Sequence, residues 1–391
     1  MKERSGVRRV IAEREEELPT SEFVKIVKIA EERHDVISLG PGEPDFDTPK
    51  NIIKVAKKKL DQGFTHYTPI GGRSDTKKAI AKKLKKENKI DVNPESQVIV
   101  TVGAKEAILL SLMSLVDPGE AVLIPDPGYL PYRSMADTIT VEPLSVRLKM
   151  EDGFEYDIDE VKKVIEPKRT KAMILNSPSN PTGTVFTKKK LEEIADFAID
   201  NSLVVISDEA YEKFVYDGSK HISIGSLNGM HNHVVSIFSF SKSYAMPGFR
   251  IGYACGPRDI IQAMTRLKMG TTLSTPTISQ LAAIEALKGP QESVKRMVKE
   301  YDRRRRFMWR SLNEMGMECL KPKGAFYMFP KIPRGRHNST TFAHSLLHKT
   351  KVLVVPGTEF GKYGEGFVRM SYATSYQKIV KAMGRIEKVL K

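Results

Sequence analysis

Leu203-Val204-Val205-Ile206-Ser207-Asp208-Glu209-Ala210-Tyr211 is the stretch that decides the fold. Four apolar residues, three of them β-branched, run directly into a serine and two acids. A run this short and continuously apolar reads as a strand buried on both faces, the habit of parallel sheets covered by helices. Working outward, the pattern recurs upstream at Ala172–Leu175, Ala121–Ile124 and Val98–Val100, and downstream at Val234–Phe238 and Ile251–Cys255. Helical patterns lie between, one over about Ala104–Leu115 and one capped by Thr187. The alternation predicts an α/β fold with a mostly parallel sheet between helices. Towards the C-terminus the order changes. A long helical stretch over Gln280–Met315 precedes strand-like pieces at Ala325–Phe329, Leu353–Val355 and Val368–Ser371, and an amphipathic helix over Tyr376–Leu390. That segregation predicts a smaller α+β unit, with an N-terminal helix over about Ser21–Glu32 packed against it.

The chain has 391 residues, 40% of them apolar, with 63 Lys plus Arg against 48 Asp plus Glu, a formal charge of +15. No apolar run is long enough for a membrane span. Met1-Lys2-Glu3-Arg4 opens a charged segment without the apolar core of a secretory signal, so a cytoplasmic protein is expected. Two cysteines, Cys255 and Cys319, make neither a disulfide framework nor a CxxC zinc site. The basic excess fits nucleic acid, an anionic substrate or a solvated surface. The densest cluster is Lys77, Lys78, Lys82, Lys83, Lys85, Lys86 and Lys89, interleaved with Ala79, Ile80, Ala81 and Leu84. This reads as an amphipathic helix with its lysines outside. Arg303–Arg306 sits in another helical pattern. No nucleic-acid partner is expected. Abundant Lys and Glu with few Cys is also a hyperthermophile composition.

The chemistry-bearing residues fall after the strands. Ser239-Phe240-Ser241-Lys242 follows one, with Arg250 eight residues on. A lysine there is either a solvated loop residue or a nucleophile whose amine is activated by burial and nearby cations. The two serines and the arginine suit a phosphate. Asp208 is either a helix N-cap or an acid placed to hold a proton on a heterocyclic nitrogen. Tyr211 is a candidate donor to a phenolate oxygen. Asn176-Ser177-Pro178-Ser179-Asn180-Pro181-Thr182-Gly183 is a rigid loop displaying Asn180. Thr101-Val102-Gly103-Ala104-Lys105-Glu106 reads as strand, small-residue turn and helix start, where backbone N–H groups bind phosphate. Tyr129, in Pro125-Asp126-Pro127-Gly128-Tyr129-Leu130-Pro131-Tyr132, suits stacking on a planar ring. Ser-x-x-Lys lacks the companions of the penicillin-recognising enzymes. No GxGxxG follows a strand, and His344 and His348 have no third ligand, so no metal is expected.

This ordered set resembles the fold-type-I, class I/II pyridoxal-phosphate-dependent aminotransferases, from Ile37-Ser38-Leu39-Gly40-Pro41-Gly42-Glu43-Pro44-Asp45-Phe46 to Val368-Arg369-Met370-Ser371-Tyr372-Ala373. The resemblance implies a large domain over 46–285 with a seven-stranded sheet, and a small domain from 1–45 and 286–391. It implies pyridoxal 5′-phosphate as cofactor and ping-pong amino transfer between an amino acid and a 2-oxo acid, usually 2-oxoglutarate. Lys242 matches the Schiff-base lysine that also moves the Cα proton, and Asp208 the acid on the pyridine nitrogen. Asn180 and Tyr211 match the donors to the O3′ oxygen, Asn180 also meeting substrate. Gly103, Ala104, Lys105, Ser239, Ser241 and Arg250 match the phosphate cup, and Tyr129 the stacking ring. Arg369 and Gly42 match the contacts on the substrate α-carboxylate. Tyr67 matches a tyrosine that reaches the neighbouring active site, which implies a homodimer. Lys105 also matches a position used by some members near a distal carboxylate. This puts aspartate first among donors, and aromatic or broad-range donors second, including kynurenine-type and cysteine-conjugate β-lyase chemistry. Gly71-Gly72-Arg73-Ser74-Asp75-Thr76 departs from the family's Leu-Arg pair, since the Leu is absent.

Overall fold

A computed structural model describes residues 35–390, apart from 228, 334, 336 and 337. The helix expected over Ser21–Glu32 lies outside the described residues. After β1 (Ile37–Ser38) the strands of the main sheet follow as β2 (Val98–Thr101), β3 (Ala121–Asp126), β4 (Glu142–Arg147), β5 (Thr170–Asn176), β6 (Val204–Asp208), β7 (Val234–Ser239) and β8 (Gly252–Cys255). Their spatial order is β2-β8-β7-β6-β5-β3-β4. All pairs are parallel except those of β8, which runs against β7 and β2. The mostly parallel order is the one the apolar runs predict, and the seven strands are the number the resemblance implies.

Alternation along each strand feeds two cores. Ile99, Val122, Ile174, Ile206 and Ile237 meet Ala107, Ile108, Leu110 and Leu112 of the helix Ala104–Leu115. On the other face Leu123, Met173, Leu175 and Val205 meet Leu191, Ile194 and Ala198 of the helix Lys188–Asp200. Each such side chain contributes roughly 1.5–3 kcal/mol on leaving water, which is why the strands tolerate polar residues only at their ends. Thr187 caps the second helix as expected, its Oγ1 accepting from Lys190 N–H at 3.2 Å.

In the C-terminal part, β9 (Tyr327–Met328), β10 (Val352–Leu353), β11 (Val355–Pro356) and β12 (Val368–Ser371) form an antiparallel sheet β11-β12-β9 and a parallel pair β1–β10. The piece expected over Leu353–Val355 is two short strands that change partners at Val354. Pro356 has no N–H to donate, and β11 is accordingly an edge strand. The helix expected over Gln280–Met315 is also two, Thr277–Lys288 and Glu292–Glu314. Pro290 disfavours a helical Gly289 and removes a donor, so the chain breaks there. The final helix runs Tyr376–Leu390 as expected. Among the described residues no helix is long and apolar enough to cross a membrane.

The basic clusters are not uniformly outside. Lys78, Lys82, Lys85, Lys86 and Lys89 are exposed, but Lys77 and Lys83 are buried. Residues Leu84–Asn88 form a π turn. Lys83 Nζ donates to Asn88 Oδ1 at 2.7 Å and to Glu212 Oε1 and Oε2 at 2.5 and 2.6 Å, and lies 4.5 Å from the Phe238 ring centre. In the arginine run, Arg304 is buried on Asp45 and Glu300, and Arg305 on Asp217 and Asp302. Long stems pack against the core while carboxylates satisfy the charged heads, an arrangement that helical periodicity alone does not reveal.

Burial alone would push the Glu212 carboxyl up, but the Lys83, Lys213 and His221 charges hold it at about 2. Lys83→Met leaves Glu212 without its main partner, and we expect a loss of about 3–5 kcal/mol of stability. Lys83→Met/Glu212→Leu should recover most of it. Chemical denaturation of the two variants checks both values.

Candidate active site

Three chain reversals meet at one edge of the sheet. β5 ends at Asn176, paired in register with Asp208 at the end of β6, and Asp208 is paired with Ile237 of β7, which ends two residues later at Ser239. Ser239 faces Gly252, and Gly252 faces Thr101 of β2. The loops after these strands wall a cavity of about 550 Å³. Of the residues singled out in the sequence, Gly42, Ala104, Lys105, Tyr129, Asn180, Asp208, Tyr211, Ser239, Ser241, Lys242, Arg250 and Arg369 line it.

Asp208 sits at its floor, buried. Tyr132 Oη donates to its Oδ2 at 2.7 Å, and Ala210 N–H to its Oδ1 at 3.1 Å. The turn-capping bond and the display of the carboxylate to the cavity therefore coexist. Burial raises the Asp208 carboxyl above the usual range, opposed by the Tyr132 hydrogen bond. Lys242 lies on the short helix Phe240–Ser243, whose N-cap Ser239 Oγ accepts from Ser241 N–H at 3.2 Å. Its Nζ donates to the carbonyl of Gly42. Burial pushes the Lys242 ammonium down to about 8, Glu43 opposing and Arg369 assisting.

Arg369 of β12 lies opposite. Its Nη1 donates to Asn180 Oδ1 at 3.0 Å and its Nη2 to the Gly40 carbonyl at 2.6 Å. The guanidinium is 4.5 Å from the Tyr327 ring centre and 4.8 Å from that of Phe360. Its Nε is buried and finds no partner among the described residues. With Oδ1 occupied, Asn180 has its amide N–H₂ left as a donor. Tyr211 and Tyr327 share a hydrogen bond at 2.7 Å between their hydroxyls.

The turn after β2 is a site of close approach. Gly103 has φ +82°, and a Cβ there would lie 2.8 Å from Arg250 Nη2. A Cβ on Gly252 would lie 2.8 Å from Ala104 N. Two glycines thus let the N-terminus of the helix Ala104–Leu115 settle onto β8 with Arg250 beside it. Gly103 itself does not line the cavity; it shapes the turn that does.

Tyr67 stands apart. It is 85% exposed and does not line the cavity of its own chain. The segment that departs from the family pattern is held by Gln280, which accepts from Arg73 N–H at 2.8 Å and donates to Thr68 Oγ1 at 2.9 Å.

Tyr132 and Tyr327 are cavity residues that had no role in the sequence reading. Tyr132 was discoverable, since it stands three residues after Tyr129 at a helix start and so shares its face; the rings meet edge-on at 5.4 Å. Tyr327 carried no signal, because it reads as an apolar strand residue.

With the Lys242 ammonium lowered to about 8, about half of its amines should lack a proton at pH 8, against less than about 1% for a lysine at its ordinary value. We expect acylation of Lys242 in cofactor-free protein to titrate with a midpoint near 8, below the roughly 10.4 of a lysine in a model peptide. Peptide mass spectrometry after pulse labelling across pH 6–11 measures it.

Comparison with known proteins identifies the family. The family model "Aminotransferase class I and II" matches residues 34–386. An aspartate aminotransferase of Pyrococcus abyssi is 48% identical over 373 residues, 95% of this chain and 96% of that protein. Aromatic-amino-acid aminotransferase 2 of Thermococcus litoralis is 44% identical over 383 residues, 97% of this chain and 98% of that protein. The crystal structure of an aromatic aminotransferase from Pyrococcus horikoshii superposes with a TM-score of 0.89 at 46% identity, over 93% of this chain and 98% of that one. The chain therefore belongs to the class I and II aminotransferases and is an aminotransferase of the fold-type-I α/β architecture.

Proposed function

We propose that this aminotransferase moves the amino group of aspartate to a 2-oxo acid, with 2-oxoglutarate as acceptor, using pyridoxal 5′-phosphate bound in the cavity above. The observation that carries the reading is the convergence of two groups on one cavity. Burial lowers the Lys242 ammonium to about 8, and Arg369 holds a buried Nε with no partner among the described residues. Amino transfer needs such an amine and such a fork for a carboxylate.

The residues fit the cofactor. The helix N-terminus at Ala104, with Ser239, Ser241 and Arg250, offers a cup for a dianionic phosphate. Asp208, its Oδ2 held by Tyr132, would keep a proton on the ring nitrogen. Tyr211 and Asn180 would donate to the ring's phenolic oxygen, and Tyr129 would stack on the ring. Bound there, pyridoxal phosphate supplies the carbonyl carbon that takes the substrate amine and a conjugated ring that accepts electrons from the broken Cα–H bond.

The chain does the rest. Arg369 and the Gly42 backbone hold the α-carboxylate, and the fork fixes the plane of the substrate. Lys242 Nζ, in reach of the same space, takes the Cα proton and returns it as an acid. Tyr129, Tyr211 and Tyr327 keep water from much of the wall. Residues 46–285 serve as the cofactor-binding domain, and 1–45 with 286–391 as the smaller domain that brings Arg369. The working unit is a homodimer in which Tyr67, too exposed to serve its own cavity, reaches the partner's phosphate. Exposed Met269 and Leu273 supply apolar contact area for that association.

A second reading, an aromatic donor, is favoured by the tyrosine-rich wall and by the aromatic-amino-acid relatives. Lys105, exposed at the mouth, favours aspartate, because it offers a charge to a distal carboxylate. The deciding experiment is a half-reaction screen of aspartate, tyrosine, phenylalanine, alanine and kynurenine, with borohydride trapping of the cofactor on Lys242. Aspartate with the highest kcat/KM supports the first reading; tyrosine or phenylalanine above it selects the second. Failure to trap the cofactor on Lys242 overturns both.

Two substitutions sharpen this. Arg369→Lys loses the bidentate fork, and kcat/KM should fall about a hundredfold for every donor. Lys105→Met should lower kcat/KM about tenfold for aspartate and less than about threefold for tyrosine.

A further inference from the structure

Behind the turn Gly103–Ala104–Lys105 lies a buried ion pair that takes no part in the chemistry above. Glu106 stands on the first turn of the helix Ala104–Leu115, and Lys268 near the end of the helix Arg258–Met269. The Lys268 side chain is 0% exposed and that of Glu106 is 9%. Lys268 Nζ donates to Glu106 Oε2 and Oε1 at 2.9 and 3.1 Å. Lys268 Nζ also donates to Thr272 Oγ1 at 2.8 Å, and Thr272 Oγ1 donates to Glu106 Oε1. A further donor is the backbone N–H of Val102, 2.5 Å from Glu106 Oε2. Neither Glu106 nor Lys268 lines the cavity.

A carboxylate in the first turn of a helix normally gains from the exposed N–H groups. Here the same N–H groups face the place assigned above to a phosphate dianion. An uncompensated Glu106 would repel that phosphate from behind, through an interior that screens poorly. Lys268 cancels the charge from inside. Glu106, by gripping Val102 N–H, holds the residue just before Gly103 and so aims the turn. The other charged groups at this turn are Lys105 and Arg250, which line the cavity itself.

We infer that Glu106 and Lys268 are positioning residues for the cofactor's phosphate: Glu106 aims the turn, and Lys268 neutralises Glu106 so that the helix N-terminus remains attractive to a dianion. This rests on the reading that the phosphate lies at Ala104.

The test is equilibrium titration of the full-length chain, stripped of cofactor, with pyridoxal 5′-phosphate and with pyridoxal, which lacks the phosphate. Lys268→Met should weaken pyridoxal phosphate about tenfold and pyridoxal less than about twofold. Glu106→Gln, which leaves the positive charge, should bind pyridoxal phosphate at least as tightly as the unaltered chain. Glu106→Gln/Lys268→Met should recover to within about threefold of it. Thermal melts of each variant report folding separately. Equal losses for both ligands, or a double variant as weak as Lys268→Met, would overturn the inference and show a merely structural pair. If Lys268→Met does not fold, Lys268→Gln takes its place: a phosphate-selective loss upholds the inference, and equal losses for both ligands overturn it. An unaltered chain that binds pyridoxal as tightly as its phosphate defeats the underlying reading, a different result from any of these.

Discussion

The parallel register of β5, β6 and β7 is the constraint on which the site depends. In-register pairing of Asn176 with Asp208, and of Asp208 with Ile237, forces three successive chain reversals onto one edge. Helices cover both faces of a parallel sheet, so the strand interiors must be apolar and polar side chains collect at the ends. The reversed strand β8 then closes the arrangement. Its Gly252 lies against the turn after β2 and brings a helix N-terminus beside the loop that carries Lys242.

Concentrating polar groups at such an edge buries charge, and this chain gives those charges local hydrogen-bond partners. Asp208 receives the Tyr132 hydroxyl and a backbone N–H. Arg369 is held by Asn180 and the Gly40 carbonyl and lies between two aromatic rings. Away from the cavity the same solution recurs with Lys83 and Glu212, Lys268 and Glu106, and Arg305 with two aspartates. The differences among these groups separate scaffold from site. The scaffold cations have carboxylate partners, whereas Lys242 makes its hydrogen bond to a backbone carbonyl and Arg369 keeps an unpartnered Nε among the described residues. A desolvated cation without a carboxylate hydrogen-bond partner is costly, and Lys242 and Arg369 face the cavity.

Much of this was legible in the linear pattern because strands buried on both faces leave short, continuous apolar runs. Those runs located every strand of the main sheet except β4, whose half-exposed Glu142–Arg147 carries no such run. Residues immediately after the runs were readable for the same reason: a polar group at the end of a buried strand has few places to go. Periodicity failed where a long side chain crosses from the helix surface to a distant carboxylate, as Lys83 and Arg305 do. It failed again at Gly289–Pro290, where the apolar spacing continues across a break.

By itself, then, the sequence determined the layered α/β plan and the identity of most cavity residues, since both follow from local burial patterns and from ordered short motifs. Only the tertiary structure decided how those residues are tuned. The lowered amine of Lys242, the Tyr132 bond to Asp208, the Tyr211–Tyr327 pair and the ion pair behind the turn at Gly103 all join residues far apart in the chain. Their energies depend on distance and burial, and neither quantity exists until the sheet has closed and water has left its edge.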